Sequence, residues 1–346
     1  MPVLILGTFR GRTRIGLLLA LSASLVDGES GSKLSGRVLD PSDRVVPGAE
    51  ILVRHLATLI ERTVATNREG IYEIPALPVG VYRMQVKAPG FRLYVLESLT
   101  AEVARTVVQD VRLEVGDLSQ EVTVKSDAAP IDAVTTSVGH VIDSRMVQEI
   151  PLNGRYFLDL ALLAPGSVTP TSTSFSATPG RGLGALAINT AGNREETVNY
   201  MVNGITLNDL VYSSILYQPS ISTVQEFKID NSTLSAEYGQ SSGAVVNVAT
   251  RSGTAQFHGE LFEFLRNDAL DARNFFTSNS SEPPPFKRNQ FGANAGGPII
   301  RGKTFFFTSY EGLRQAQEVN RPRSSSTRAR VSEIFGLPSF SAKFRP

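Results

Sequence analysis

Alternating apolar and polar positions recur along much of the chain, and they predict strands more often than helices. In residues 81–87 the even positions, Tyr82, Met84 and Val86, are apolar, whereas positions 83, 85 and 87 are polar. A period of two is typical of a strand with one buried and one wet face. Similar short runs, separated by Gly- and Pro-containing turns, occupy residues 34–40, 50–55, 61–66, 71–75, 81–88, 91–99 and 106–113. This spacing predicts a β-sandwich over residues 34–115.

Residues 136–253 mix helical and strand patterns and predict an α+β domain. Residues 143–149 and 157–163 have helical spacing, with Leu158, Leu162 and Leu163 on one face of the second segment. Asn203-Gly204 lies between β-type residues and indicates a tight hairpin. Further strands are predicted at residues 223–231 and 244–250.

The pattern changes again in residues 254–346, where aromatic-rich runs are separated by polar loops. The runs are residues 257–265, 288–297 and 304–312. In the second run, Phe291, Ala293 and Ala295 alternate with Gln290, Gly292 and Asn294. A strand between lipid and a wet lumen requires this alternation, so we predict the first few antiparallel strands of an outer-membrane β-barrel.

The N-terminus has the features of an export signal. Arg10, Arg12 and Arg14 precede an uncharged apolar run, residues 15–26, that ends with small residues. The run is shorter than the roughly 20 residues needed to span a bilayer, so we interpret residues 1–28 as a signal peptide. A buried N-terminal helix is the alternative.

Composition narrows the function classes. The chain of 346 residues has 34 Lys and Arg against 33 Asp and Glu, a balance that gives no electrostatic indication of a nucleic-acid partner. Cysteine is absent, which excludes disulfides, thiolate metal sites and a Cys nucleophile.

Three enzyme or metal patterns can be weighed, and each is better explained structurally. Residues 239–243 fit the G-x-S-x-G pattern around Ser241, but a strand-like run follows where a hydrolase needs a helix. Gly180, Gly182 and Gly184 do not complete a nucleotide-binding motif. The histidines are widely separated, at His55, His140 and His258. We therefore expect no catalytic residue, no metal site and no cofactor.

A short β-prone run, Glu121, Val122, Thr123 and Val124, lies in the linker of residues 116–135. One interpretation is a last strand of the sandwich followed by a linker. The other is an exposed strand that a partner protein captures by edge pairing, which requires β propensity and exposure more than particular side chains. Both interpretations remain open from the residues alone.

The first domain resembles a known family. GRVLDPSDRVVPGAEILVRH and TNREGIYEIPALPVGVYRMQVKAPGF are similar to the carboxypeptidase regulatory-like domain, a prealbumin-type (Ig-like) sandwich. The regulatory domain has no catalytic role in that family. No His-x-x-Glu zinc-binding pair occurs in the chain, so peptidase activity is not implied.

The remainder resembles TonB-dependent receptors of the Oar-like group. IPLNGRYFLDLALLAPG, AGNREETVNYMVNGITLND and VQEFKIDNSTLSAEYGQSSGAVVNVATRSG are similar to the plug domain, and FHGELFEFLRNDALDARNFF to the opening of the barrel. The resemblance implies a mainly β protein of the outer membrane with a periplasmic N-terminal domain. It implies TonB as the partner that captures residues 121–124, an unknown extracellular ligand, and uptake rather than catalysis.

Transporters of this type have about 22 strands, so the residues after Thr250 cannot close a barrel. We expect the sequence to be a fragment or a truncated reading frame that does not transport by itself. The rival hypothesis is a soluble periplasmic or surface module that binds carbohydrate or protein without transport.

Overall fold

The computed structural model describes residues 31–116, 121–124, 137–169, 187–210, 213–232, 234–236, 238–239, 242–272 and 285–317. The expected signal peptide, residues 1–28, lies outside the described residues. The chain divides into two compact units, Met1–Arg251 and Ser252–Pro346. None of the helices in the described ranges is long and apolar enough to cross a membrane.

The first part of unit 1 is a β-sandwich, which we call the sandwich. Its strands are β1 (Ser32–Leu39), β2 (Glu50–His55), β3 (Glu61–Ala65), β4 (Ile71–Leu77), β5 (Gly80–Lys87), β6 (Leu93–Ala101), β7 (Thr106–Val108), β8 (Val111–Arg112) and β9 (Glu121–Val124). One sheet has the order β4-β1-β7, with β8 also paired to β1, and the other has the order β3-β2-β5-β6-β9. The run predicted at residues 106–113 is therefore two short strands, both parallel to β1.

The facing sides of the two sheets enclose the core of the sandwich. The alternation seen in the sequence places Tyr82, Met84 and Val86 of β5 inside, with Met84 and Val86 fully buried. Full burial of a side chain of this size stabilises a fold by about 1.5–3 kcal/mol relative to exposure. Tyr72 is also buried, and its hydroxyl donates to the Gln109 carbonyl oxygen at 2.6 Å. That hydrogen bond satisfies a polar group that would otherwise be costly to bury.

The second part of unit 1 is a five-stranded sheet of order β10-β15-β16-β13-β14, which we call the mixed sheet. Its elements and neighbours are β10 (Val138–Ile142), α1 (Ser144–Glu149), β11 (Ser167–Val168), β12 (Asn189–Thr190), β13 (Val198–Val202), β14 (Ile205–Thr206), β15 (Val224–Ser232) and β16 (Ala244–Thr250), with 3₁₀ turns at Phe157–Leu163, Glu195–Thr197 and Ile221–Thr223. Strands β13 and β16 are parallel, and the other pairs in the sheet are antiparallel.

Local sequence explains two of these elements. Asn203 and Gly204 have φ of 49° and 77° and join β13 to β14, as the predicted hairpin requires. Helix α1 begins after Asp143, whose Oδ1 accepts a hydrogen bond from the Met146 backbone N–H at 2.8 Å.

The expected α-helix at residues 157–163 is instead a 3₁₀ helix. Three residues per turn align Phe157 with Leu160 and Leu158 with Ala161, and all four are buried against the mixed sheet's core. Leu163 is 44% exposed, so the predicted face of Leu158, Leu162 and Leu163 is wrong. Pro165 disfavours helical backbone at the preceding residue and ends the segment.

Unit 2 contains β17 (His258–Asn267), a 3₁₀ turn (Asp268–Leu270), β18 (Phe286–Ile300) and β19 (Thr304–Gln317). The strands form an antiparallel sheet of order β17-β18-β19, which we call the three-strand sheet. Within the part of unit 2 that the structure describes, this sheet is open and does not close into a barrel.

Candidate functional site

The predicted capture segment is the terminal strand of a sandwich sheet. Strand β9 runs parallel to β6, with Leu93 opposite Glu121 and Leu96 opposite Val124. It is last in the order β3-β2-β5-β6-β9. The backbone pairing follows the first interpretation of this segment, a last sandwich strand, and its position at the sheet edge is the geometry that the second interpretation needs.

The two central residues of β9 differ in exposure. Val122 is half-buried and pairs with Tyr94, whereas Thr123 is exposed and pairs with Val95. Within the described residues, four parallel residue pairs join β9 to β6, and parallel pairing is slightly less stable per residue than antiparallel pairing. Strand β9 is therefore in β conformation and pairs in the weaker of the two orientations.

The mixed sheet buries a polar face that the sequence analysis did not identify. On β15, Phe227 and Ile229 point into the apolar core, whereas Glu226, Lys228 and Asp230 alternate with them on the opposite face. These three charged residues are only 5%, 5% and 2% exposed, respectively. The alternation is visible in the sequence TVQEFKIDN, but a polar strand face is ordinarily exposed to water, so the pattern does not predict burial.

Contacts with the sandwich cover part of this polar face. The turn between β6 and β7 places the Val103 backbone N–H 2.5 Å from Glu226 Oε2, to which it donates. Lys228 Nζ donates to the Ala104 carbonyl oxygen at 2.9 Å and lies 3.1 Å from Asp230 Oδ2. Charged groups are thus buried with partners, as their burial requires.

The environment of Glu226 favours its neutral form. Burial raises the pKa of Glu226 to about 7, and the negative charges of Glu102 and Asp143 act in the same direction. The hydrogen bond from Val103 and the charge of Lys228 lower the pKa and only partly offset the effect of burial. Glu226 therefore changes charge near neutral pH.

The three-strand sheet has two different faces. Leu261 on β17, Ala293 on β18 and Tyr310 on β19 lie opposite one another in register, and Leu261 and Tyr310 are 85% and 65% exposed. The next row is polar: Asn294 lies between Glu260 and Ser309, and its Nδ2 donates to Glu260 Oε2 at 3.3 Å. An outward apolar row beside an inward polar row is the arrangement of a transmembrane barrel wall.

The enzyme and metal patterns acquire no further support from the geometry. Strand β16 begins directly after Gly243, so the G-x-S-x-G pattern is followed by a strand, and Ser241 lies outside the described residues. Gly180, Gly182 and Gly184 also lie outside them. Within the described ranges, no group of three or more His, Asp or Glu side chains could hold a metal ion.

His55 has a structural environment. Its Nδ1 accepts a hydrogen bond from the Thr58 backbone N–H at 3.1 Å, and its ring meets the Tyr82 ring edge-on at 4.8 Å. Burial lowers the pKa of His55, which keeps the ring neutral. This histidine therefore closes the end of the β2–β3 hairpin by packing.

Two family models match the chain. Residues 33–114 match the carboxypeptidase regulatory-like domain, and residues 249–332 match an outer membrane beta barrel domain. The expected fold class, mainly β with a regulatory-like sandwich and barrel strands, is confirmed. The barrel match also confirms the outer-membrane localisation and disfavours the rival hypothesis of a soluble module.

One curated protein and several solved structures align with parts of this chain. The TonB-dependent transporter Oar of Myxococcus xanthus is 27% identical over 290 residues, which cover 81% of this chain and 26% of that protein. The chain thus spans about a quarter of the length of this curated relative. Among solved structures, the siderophore receptor PirA from Acinetobacter baumannii aligns with 19% identity and a TM-score of 0.41, covering 56% of this chain and 27% of PirA.

Hydroxyquinol 1,2-dioxygenase from Pseudomonas putida DLL-E4 aligns with 14% identity and a TM-score of 0.21, covering 27% of this chain and 59% of the enzyme. TM-scores this low, for PirA and the dioxygenase alike, do not indicate a shared function. The sequence relationship with Oar is the informative one. The chain is a homologue of the TonB-dependent transporter Oar, with a carboxypeptidase regulatory-like domain ahead of an outer-membrane β-barrel segment.

Proposed function

We propose that this chain acts within a ligand-gated, TonB-dependent receptor of the outer membrane, and that TonB captures strand β9. The observation that carries the proposal is the place of β9: it is an edge strand, and it directly precedes the mixed sheet in the sequence of an Oar homologue. The assignment of residues 121–124 as the capture segment stays a prediction.

Edge capture uses backbone hydrogen bonds, which explains why the segment needs extended conformation more than a particular motif. TonB can add a strand to the outer edge of β9, or it can replace β6 as the partner of β9. The second route breaks only the pairs from Leu93–Glu121 to Leu96–Val124. In both routes the force is applied at the start of the linker that leads to the mixed sheet.

In this mechanism the mixed sheet and its helices form a plug that fills the lumen of a barrel. A ligand on the extracellular side changes the plug, and β9 becomes available to TonB on the periplasmic side. The inner-membrane proton gradient supplies the energy through TonB, so the receptor itself needs no nucleotide and no cofactor. Extracellular loops determine which ligand binds.

Thiol crosslinking tests the capture segment directly because the chain has no native cysteine. The test variants are Val122→Cys and Thr123→Cys on β9. The matched controls are Val64→Cys and Thr63→Cys on β3, which forms the opposite edge of the same sheet. Each control has the same residue type and the same exposure class as its counterpart.

We expect the periplasmic domain of TonB, carrying one cysteine in its strand-forming segment, to crosslink to the β9 variants several-fold more than to the β3 variants. Equal yields from both edges would reject β9 as the capture strand. No product at either edge, in membranes where the chain is inserted, would reject capture by the sandwich altogether.

A further inference from the structure

The contact between the sandwich and the mixed sheet lies within unit 1 and includes hydrogen bonds between the two. We define the turn contact as residues 102–105 of the sandwich together with Glu226 and Lys228 of β15. In it, Val103 is fully buried and its N–H donates to Glu226, while Lys228 donates to the Ala104 carbonyl oxygen. Two backbone groups of one turn are therefore held by two neighbouring charged side chains on the same face of β15.

A second, weaker attachment accompanies the turn contact. Gln225 Nε2 donates to the Val79 carbonyl oxygen at 3.2 Å, and Val79 precedes β5 on the sandwich. This bond is neutral and does not change with pH. Of these two attachments, the turn contact is the one that contains charged groups.

The charged groups that face Glu226 come from each element packed against it. Glu102 lies on the same turn and is ion-paired with Arg105. Lys228 is next on the same face of β15 and is shared with Asp230. Asp143 contributes a negative charge and also accepts the first hydrogen bond of α1. The carboxylate of Glu226 thus faces a cation, Lys228, that is shared with Asp230 and the Ala104 carbonyl oxygen.

We propose that the turn contact is a proton-dependent interdomain contact that holds the sandwich on the mixed sheet in acid and weakens as the pH rises through neutrality. Val103 can donate to a carboxyl oxygen in either protonation state, so the hydrogen bond survives protonation. What changes is the cost of keeping a charged carboxylate between Glu102 and Asp143 away from water.

The direction follows from linkage. The docked state raises the pKa of Glu226 from 4.5 to about 7, so docking takes up a proton between these two values. The contribution of Glu226 protonation to the free energy of docking is complete below pH 4.5. It is lost as the pH rises to about 7. Above that range Glu226 is charged in both states, and the docking equilibrium no longer depends on pH through this group.

Distances between spin labels on the full chain test this proposal without any need for TonB. One label is attached through Thr63→Cys on the sandwich and the other through Arg145→Cys on α1, at an exposed side chain. Between pH 5 and pH 8, the shift from 4.5 to about 7 corresponds to a fall of about 70-fold in the ratio of docked to undocked molecules. A distance distribution that does not change with pH would overturn the proposal.

The decisive variant is Glu226→Gln, which keeps an oxygen that accepts from Val103 and cannot ionise. We expect its docking to be independent of pH, whereas the control Glu149→Gln, at an exposed carboxyl of α1, should respond like the unchanged chain. An unchanged pH response in Glu226→Gln would assign the effect to other groups and contradict the proposal.

Amide exchange of Val103 in the unchanged chain provides a second measurement if the variant does not fold. After correction for the intrinsic pH dependence of exchange, protection of this N–H should decrease between pH 5 and pH 8. Constant protection would contradict a proton-dependent contact. Because none of these readouts involves transport, their failure is distinguishable from failure of the proposed receptor function.

Discussion

Apolar and polar positions alternate along β5 of the sandwich and β18 of the three-strand sheet, but the two sheets place apolar side chains in opposite environments. In the sandwich, Met84 and Leu96 are 0% and 1% exposed because a second sheet covers them. In the three-strand sheet, Leu261 and Tyr310 are 85% and 65% exposed. Alternation therefore identifies a strand with one apolar face, but it does not say whether protein or lipid covers that face.

The polar side chains of the sandwich and the three-strand sheet also differ in their environment. The wet face of the sandwich carries scattered surface ion pairs, such as Arg83 with Glu97 at 3.0 Å. In the three-strand sheet the polar face contains buried amides, and Gln290 Nε2 donates to Glu311 Oε1 at 2.6 Å. A membrane wall inverts the usual arrangement, since its apolar face points outward and its polar face points toward a lumen.

Truncating one leucine in each sheet should separate the two environments by several kcal/mol of stability, about 2–5 against less than about 0.5. Leu96→Ala should destabilise the sandwich by about 2–5 kcal/mol, because it leaves a cavity in a closed core. Leu261→Ala should change the stability of the chain in detergent by less than about 0.5 kcal/mol, since its side chain is exposed. Hydrogen exchange with mass spectrometry measures both regions in one experiment. Similar losses at both positions would contradict the account, because Leu261 would then be part of a protein core.

A smaller effect is expected from pH. Burial lowers the pKa of His55 below 6.5, so the stability that the neutral ring contributes is complete above pH 6.5 and is lost as the pH falls through the lowered pKa. We expect exchange of the residue 55–60 amides to accelerate between pH 7.5 and pH 5, after correction for intrinsic rates.

Replacing His140 in the mixed sheet by Gln is the control, because it leaves the hairpin end of the sandwich unchanged. An identical acid response in a His55→Gln variant would show that another group is responsible. In the three-strand sheet the histidine, His258, is exposed rather than buried. We therefore expect no acceleration of amide exchange in acid around His258.

Much of the fold could be predicted because local signals and tertiary structure agree. The strand predicted at residues 50–55 is β2, and the strand predicted at residues 244–250 is β16. Asn203-Gly204 identified a hairpin because both residues tolerate positive φ. In these segments one periodicity or one turn type determines the structure without help from distant residues.

The other features of the fold depend on contacts with residues that are remote in the sequence. Residues 157–163 are compatible with two kinds of helix, and packing against the mixed sheet selects the 3₁₀ form. The parallel pairing of β9 with β6 has no local signal. Glu226 and Lys228 have the pattern of a wet strand face, but they are covered by the turn of the sandwich, more than 100 residues earlier in the chain.

If the three-strand sheet is a membrane wall, its apolar row contacts lipid, and brominated lipids in the membrane will quench single fluorescent labels placed on that row. Labels at Leu261→Cys and Tyr310→Cys report one face, and labels at Glu260→Cys and Ser309→Cys report the adjacent row on the other. We predict strong quenching at Leu261 and Tyr310 and little at Glu260 and Ser309. Equal quenching at all four positions, or quenching of the polar row alone, would contradict the assignment of this sheet as a membrane wall.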